Sequence, residues 1–224
     1  MDLRGKRTLM TGVTGGLGPA LVEAFLALGS HVLATGRRRT ALDELRAQMR
    51  HHDRLDVAEC DLRDGDGVEA LFDAWTRQGD ADVVVHAAGA YAAETLEDTD
   101  DASMQRVIDG NLRTAALVLR AALRRMREAE RGSVVVVAAS RAQDPGTDEA
   151  LYGAAKAAVV HLVESTATAG GGVRINALLP GPIDTEENRR AGLDGVPASD
   201  VARAAVWLAS DESRGINGAS VRLS

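Results

Sequence analysis

Tyr152 and Lys156 stand four residues apart in the stretch "ALYGAAKAAV", a spacing that puts both on one face of a helix. Both residue types are scarce here. Tyr152 is one of two tyrosines, and Lys156 is one of two lysines in a chain whose remaining basic residues are all arginine. Arginine serves as well for solubility, helix propensity and surface ion pairs, so a lysine kept in such a composition is kept for its chemistry. A phenol beside an ammonium is a proton-transfer pair. A tyrosine near its reference pKa of ~10 holds its proton too tightly to exchange it readily at neutral pH, and a fixed positive charge within a few ångströms stabilises the phenolate.

A second motif precedes it in the chain. After the apolar run "RTLMTG" comes "TGVTGGLG", in which Thr11, Gly12, Thr14, Gly16, Leu17 and Gly18 lead into a helix expected to begin near Leu17. Glycine permits a tight turn and a close approach of backbone to pyrophosphate, and the helix amino terminus beyond favours negative charge. Placed between a strand and a helix at the start of a βαβ unit, the loop reads as a dinucleotide site. The end of the second strand, "LATGRRR", carries no acid at Gly36 to bond ribose hydroxyls, and Arg37 follows with a guanidinium suited to a 2′-phosphate. NADP(H) is therefore favoured over NAD(H); the competing reading makes Arg37 to Arg39 a solvated helix start. Asp61, ending the third strand, is placed for the adenine edge, with helix capping by an Asp at 61 or 64 as the alternative.

The elements that must position these residues follow from the alternation of short apolar runs with longer helical patterns, which signals βαβ units and a doubly wound parallel sheet in a three-layer α/β/α sandwich. The strands "DVVVHAAG" (82–89) and "SVVVVAAS" (133–140) are nearly uniform in valine, as strands covered on both faces should be. One long helix is expected from about Asp101 to Arg127, then the helix carrying Tyr152, a strand "GVRINALL", a helix "SDVARAAVWLAS" and a closing strand "GASVRLS". At 224 residues the chain suits one domain, 1–224. Acidic residues exceed basic ones by seven with mixed charges, so a nucleic-acid surface is not expected. No run approaches the ~20 apolar residues that span a bilayer, and no signal peptide is legible, which points to a soluble cytoplasmic protein. The single Cys60 excludes an intramolecular disulfide, gives no metal cluster, and reads as a packed thiol rather than a nucleophile.

With the glycine loop, the valine strands, "YGAAK" and "RINALLPGP" together, the whole chain resembles the single-domain short-chain dehydrogenase/reductases. The resemblance implies that Tyr152, Lys156, Ser140 and Asn111 form the catalytic set. Tyr152 would be the general acid/base in carbonyl or secondary-alcohol chemistry, Ser140 would hold the substrate oxygen, and Asn111 would link Lys156 to solvent through a bound water. It implies a cofactor site drawn from Thr11, Gly12, Thr14, Gly16, Leu17, Gly18, Arg37, Asp61, Leu62, Ala88, Gly89, Tyr152, Lys156, Pro180, Gly181, Ile183 and Thr185, with Thr185 near the nicotinamide carboxamide. It also implies a homodimer or homotetramer built on the long helix and the Tyr152 helix.

The chain departs from the family pattern in several places. His86 and Ala87 replace two asparagines in "HAAG", Ser140 precedes Tyr152 by twelve residues, the segment 183–199 that forms the substrate lid is short and polar, and "ASVRLS" lacks the usual terminal glycines. The rival class is a binding or regulatory protein that keeps the fold as a redox sensor without turnover. A sensor has no need of tyrosine and lysine four apart with Ser140 and Asn111 in register.

Overall fold

The computed structural model describes residues 1–190, 192 and 194–224, and only the backbone of Glu187. Seven parallel strands, β1 (Arg7–Thr11), β2 (His31–Gly36), β3 (Leu55–Glu59), β4 (Val83–His86), β5 (Gly132–Val137), β6 (Val173–Pro180) and β9 (Ser220–Leu223), form one sheet in the order β3-β2-β1-β4-β5-β6-β9. Two short strands, β7 (Ile183–Asp184) and β8 (Val196–Pro197), pair separately, Ile183 opposite Val196. The chain winds outward from β1 to β3 and then returns to β4, so the strand order reverses between β1 and β4. Ligands of open α/β sheets bind at this switch point, outside the strand carboxyl ends.

The valine runs alternate between two cores. Val84, Val134 and Val136 pack with helices α3 (Gly65–Thr76), α5 (Thr114–Glu128) and α6 (Ala150–Ala167) on one face. Val83, Val85, Val135 and Val137 pack with α1 (Gly18–Ala27), α2 (Arg39–Gln48) and α8 (Ala198–Ala209) on the other. Period-two alternation with both sides apolar is what covering a parallel sheet with helices demands. Cys60 is buried in the first of these cores.

The helix expected from Asp101 to Arg127 is interrupted. Asp100 caps the start of α4 (Asp101–Ile108), its carboxylate accepting from the Ser103 N–H at 2.7 Å, and residues Asp109–Arg113 form a π-helical turn before α5 begins. Asn111 lies in that turn. Its side-chain amide donates to the carbonyl of Val107, four residues back, at 2.9 Å, placing a side-chain donor against a main-chain acceptor of the helix. The loop after α6 is closed by Gly170, Gly171 and Gly172, all at positive φ, and a Cβ on Gly172 would overlap the Glu130 carbonyl. Only glycine fits there. Among the described residues no helix is long and apolar enough to cross a membrane.

Candidate active site

Lys156 is buried in the middle of α6, and its ammonium donates to the carbonyl of Val137, the last residue of β5, at 3.2 Å. Tyr152 lies one turn earlier on the same helix, with the Lys156 Nζ 5.8 Å from its ring centroid. Burial pushes the phenol up to about 12, with smaller pushes from the Glu149 carboxylate and Tyr91, and pushes the Lys156 ammonium down to about 8. Both shifts have the same root, the loss of hydration of the charged form. Desolvation is the first cause at Tyr152 and acts against the phenolate that the sequence reading expects Lys156 to stabilise. At neutral pH the phenol keeps its proton.

Asn111 joins this pair from the π turn. Its Nδ2 donates to the carbonyls of Ala90 at 2.7 Å and Val107 at 2.9 Å, while its Oδ1 is buried without a partner among the described residues. A Cβ on Gly89 would lie 2.9 Å from that Oδ1 and 3.3 Å from the Lys156 Nζ, so only the bare backbone of Gly89 lets both polar groups approach this closely. Ser140 falls in a 3-10 turn, Ser140–Ala142, beyond the end of β5 instead of inside it. The carbonyl of Ala139 accepts from the Ala142 N–H at 3.0 Å, which turns the chain toward α6.

The glycine loop is built on close backbone approaches. Gly12 sits at φ +73°, and a Cβ there would strike the main chain of Ala87 and Ala88, so β1 and β4 approach each other through it. A Cβ on Gly18 would overlap the Val13 carbonyl, and one on Gly16 would lie 2.5 Å from the Thr185 methyl. The start of α1 has no side-chain cap and no acid in its first turn, leaving its positive dipole end to an anion. Leu17 and Leu62 bury their side chains in the two cores, and Ala88 packs partly against the first core.

Around the second strand, Arg37 is exposed and forms no ion pair within 4.0 Å among the described residues. The exposed Thr14 adjoins Gly36, its methyl 3.3 Å from where a Cβ would stand. Asp61 is engaged by Arg63 at 2.6 Å, which holds its carboxyl down to about 2, and the cap of α3 comes from Asp64. On the far side, Pro180 ends β6, Gly181 donates its N–H to the Leu223 carbonyl at 2.9 Å, and Ile183 lies in β7. The Thr185 hydroxyl accepts from the Asn188 N–H at 3.2 Å. Within 183–199, the segment expected from the resemblance to be the lid, Ala191 and Leu193 lie outside the described residues.

Three residues of this region escaped the sequence reading. His86, noted only as a departure, pairs its Nδ1 with the Thr11 hydroxyl at 2.9 Å, bracing β1 against β4 where Thr11 and His86 are in register. Burial, aided by Lys156, pushes the imidazole down to about 3, so it is neutral. Glu149 forms an ion pair with Arg141 just before α6. Tyr91 stands edge-on to Tyr152, and the scarcity that singled out Tyr152 applied to it equally.

A doubly wound sheet with a glycine turn ahead of α1, and a buried lysine one turn from a tyrosine at the same carboxyl edge, define an α/β oxidoreductase of the nicotinamide-dependent class. Residues 6–194 match the family model described as short chain dehydrogenase, and the chain belongs to that family. It is 27% identical over 238 residues to a 3-oxoacyl-(acyl-carrier-protein) reductase of Rickettsia conorii, covering 100% of this chain and 97% of the relative. It is 31% identical over 242 residues to 3beta-hydroxysteroid dehydrogenase 1 of Eggerthella lenta, covering 98% and 92%. A short-chain type dehydrogenase/reductase from Mycobacterium ulcerans superimposes with a TM-score of 0.92 at 26% identity, covering 100% of this chain and 90% of the other.

Proposed function

We propose that residues 1–224 act as one domain that transfers a hydride between NADP(H) and a small carbonyl or secondary-alcohol substrate, with Tyr152 as general acid/base. The observation that carries this reading is the buried Lys156 ammonium, anchored on the Val137 carbonyl, beside Tyr152 and close to the unpartnered Asn111 Oδ1 across Gly89. The glycine turn and the uncapped start of α1 fit a dinucleotide. When bound, the cofactor supplies or accepts the hydride.

The remaining chemistry belongs to the chain. Tyr152 holds a proton at neutral pH and can give it to a carbonyl oxygen, which the Ser140 hydroxyl positions by a hydrogen bond. The phenolate left behind is reprotonated through Lys156. An ammonium lowered to about 8 gives up its proton near neutral pH far more readily than an ordinary lysine. Asn111 Oδ1 has no partner among the described residues and suits a water that would reload Lys156. This function needs no metal, nucleic acid or membrane, and the chain is assigned to the cytoplasm.

NADP preference rests on Gly36, Arg37 and Thr14. With no acid at Gly36, Arg37 and the exposed Thr14 hydroxyl are available to a 2′-phosphate. Arg37→Ala is expected to weaken NADPH binding about ten- to a hundredfold, the loss of a hydrogen bond to a charged group, and to leave NADH little changed. Titrating the variant with both cofactors decides it. Equal losses would mean that Arg37 supports the fold instead.

The enzyme is further proposed to be a homodimer or homotetramer through α4, α5 and α6. Mutual repulsion of the α5 arginines is relieved within the subunit, because Glu69 of α3 pairs with Arg120 at 3.4 Å, Arg124 at 3.6 Å and Arg125 at 2.9 Å. Light scattering at micromolar concentration should give a multiple of the 23.5 kDa chain, and a fully active monomer would refute the assembly.

A further inference from the structure

The segment that follows Gly89 carries a second aromatic ring into the site. The rings of Tyr91 and Tyr152 meet edge to face, their centroids 5.1 Å apart and their planes at 82°, while Tyr91 remains 58% exposed. Desolvation, and then the nearby Glu149 carboxylate, push that phenol up to about 12. The ring is thus held along one edge by Tyr152, with much of its surface free.

The backbone that carries Tyr91 is also held. Its carbonyl accepts from Arg106 at 2.9 Å, Arg106 donates to the Ser103 hydroxyl at 2.9 Å, and that hydroxyl donates to Glu94. Glu94 in turn forms a bridge with Glu149 at the start of α6. The segment is therefore strapped between α4 and the helix of Tyr152. An aromatic surface held this way loses little conformational freedom when something packs on it.

The charges around it indicate what would pack there. Arg141 is taken up by Glu149 and Arg106 lies 3.7 Å from Glu94, so neither cation is free for an anionic substrate, while Asp148 adds further negative charge near Tyr91. A carboxylate or phosphate there would have to displace Glu149 or Glu94 to gain an arginine partner, at the cost of the ion pair it breaks. An uncharged planar group meets no such penalty.

Resting on the carbonyl-reductase reading above, we propose that Tyr91 is a specificity-determining wall of the substrate pocket, selecting uncharged ketones that carry an aryl or other planar ring beside the carbonyl. Aromatic pairing of this kind corresponds to about a three- to tenfold preference.

The test compares acetophenone with acetone in steady-state reduction, using the wild type, Tyr91→Phe and Tyr91→Ala. The ratio of kcat/KM for acetophenone over acetone should be kept by Tyr91→Phe and fall about three- to tenfold in Tyr91→Ala. An equal fall for both ketones in Tyr91→Ala would overturn the proposal and leave Tyr91 as a support for Tyr152 alone. Thermal-shift titration with the same two ketones gives a readout free of turnover: the wild type should bind acetophenone more tightly than acetone, and Tyr91→Ala should lose that preference. Absence of all reduction by the wild type, with the binding preference intact, would refute the carbonyl-reductase reading and not the role of Tyr91. A wild type that binds acetophenone no better than acetone would refute the wall.

Discussion

Tyr152→Phe is expected to lower carbonyl reduction by about 10²–10⁴-fold, the range for loss of a positioned general acid, while NADPH affinity stays nearly intact. The substitution removes only the hydroxyl, so the ring still meets Tyr91 edge to face. Lys156→Arg should also fail although it keeps the charge. The Nζ sits in a buried site beside the Val137 carbonyl, and a forked guanidinium there would crowd Gly89 and Asn111. A pH profile gives an independent check. The charged form of Lys156 is held down to about 8 by burial, so the ammonium is present below that pH and lost above it. Reduction limited by proton delivery should therefore be sustained below about pH 8 and decline above it, read as kcat/KM against pH. Wild-type-like turnover by Lys156→Arg would sink the claim that lysine was kept for its geometry.

Gly18→Ala is expected to destabilise the fold by about 3 kcal/mol, lowering Tm by roughly 6–12 °C for a chain of this size. The added methyl has nowhere to go. It would overlap the Val13 carbonyl, which belongs to the rigid turn between β1 and α1, so backbone and not a flexible side chain must shift. Gly215→Ala is the control: nothing lies within 4 Å of its Cβ position and its φ is ordinary, so stability should change little. Denaturant unfolding of the two variants beside the wild type measures the contrast. A Gly18→Ala protein as stable as Gly215→Ala would show that the start of α1 is not locked on the turn. The same displacement would move the amino end of α1 away from a phosphate, so NADPH binding should fall in Gly18→Ala along with stability.

The parallel sheet was legible because burial on both faces leaves a plain mark, two runs of valine feeding alternate cores, and because glycines crowd where backbones touch. Tyr152 and Lys156 were legible through their scarcity and spacing. What escaped were effects that arise only when segments distant in sequence are packed together. Nothing in "HAAG" announces that His86 will reach Thr11, since that contact depends on β1 and β4 being neighbours in register. Desolvation of Tyr152 is a property of the assembled site and not of the sequence motif. The bracing of Tyr91 by Arg106, Glu94 and Glu149 draws on three separate segments. Capping of α3 was left open between two acids, and only the turn geometry separated Asp64, which caps, from Asp61, which Arg63 occupies.

The π turn that holds Asn111 also sets the rotational phase of everything after it. The buried positions Ser103, Val107, Asn111 and Ala115 advance by four residues at each step. In a straight α-helix each such step drifts by about 40°, because one residue turns about 100°. The wider turn at Asp109–Arg113 absorbs that drift, letting one inward stripe run from α4 through Asn111 into α5. Deleting a single residue there would turn Val118, Leu119, Ala122 and Met126 about 100° away from the sheet, or else swing Asn111 off Ala90. The chain cannot keep its core and the Asn111 contact with Ala90 in phase without the extra residue. Changes of length at this point of the sequence should be far less tolerated than substitutions.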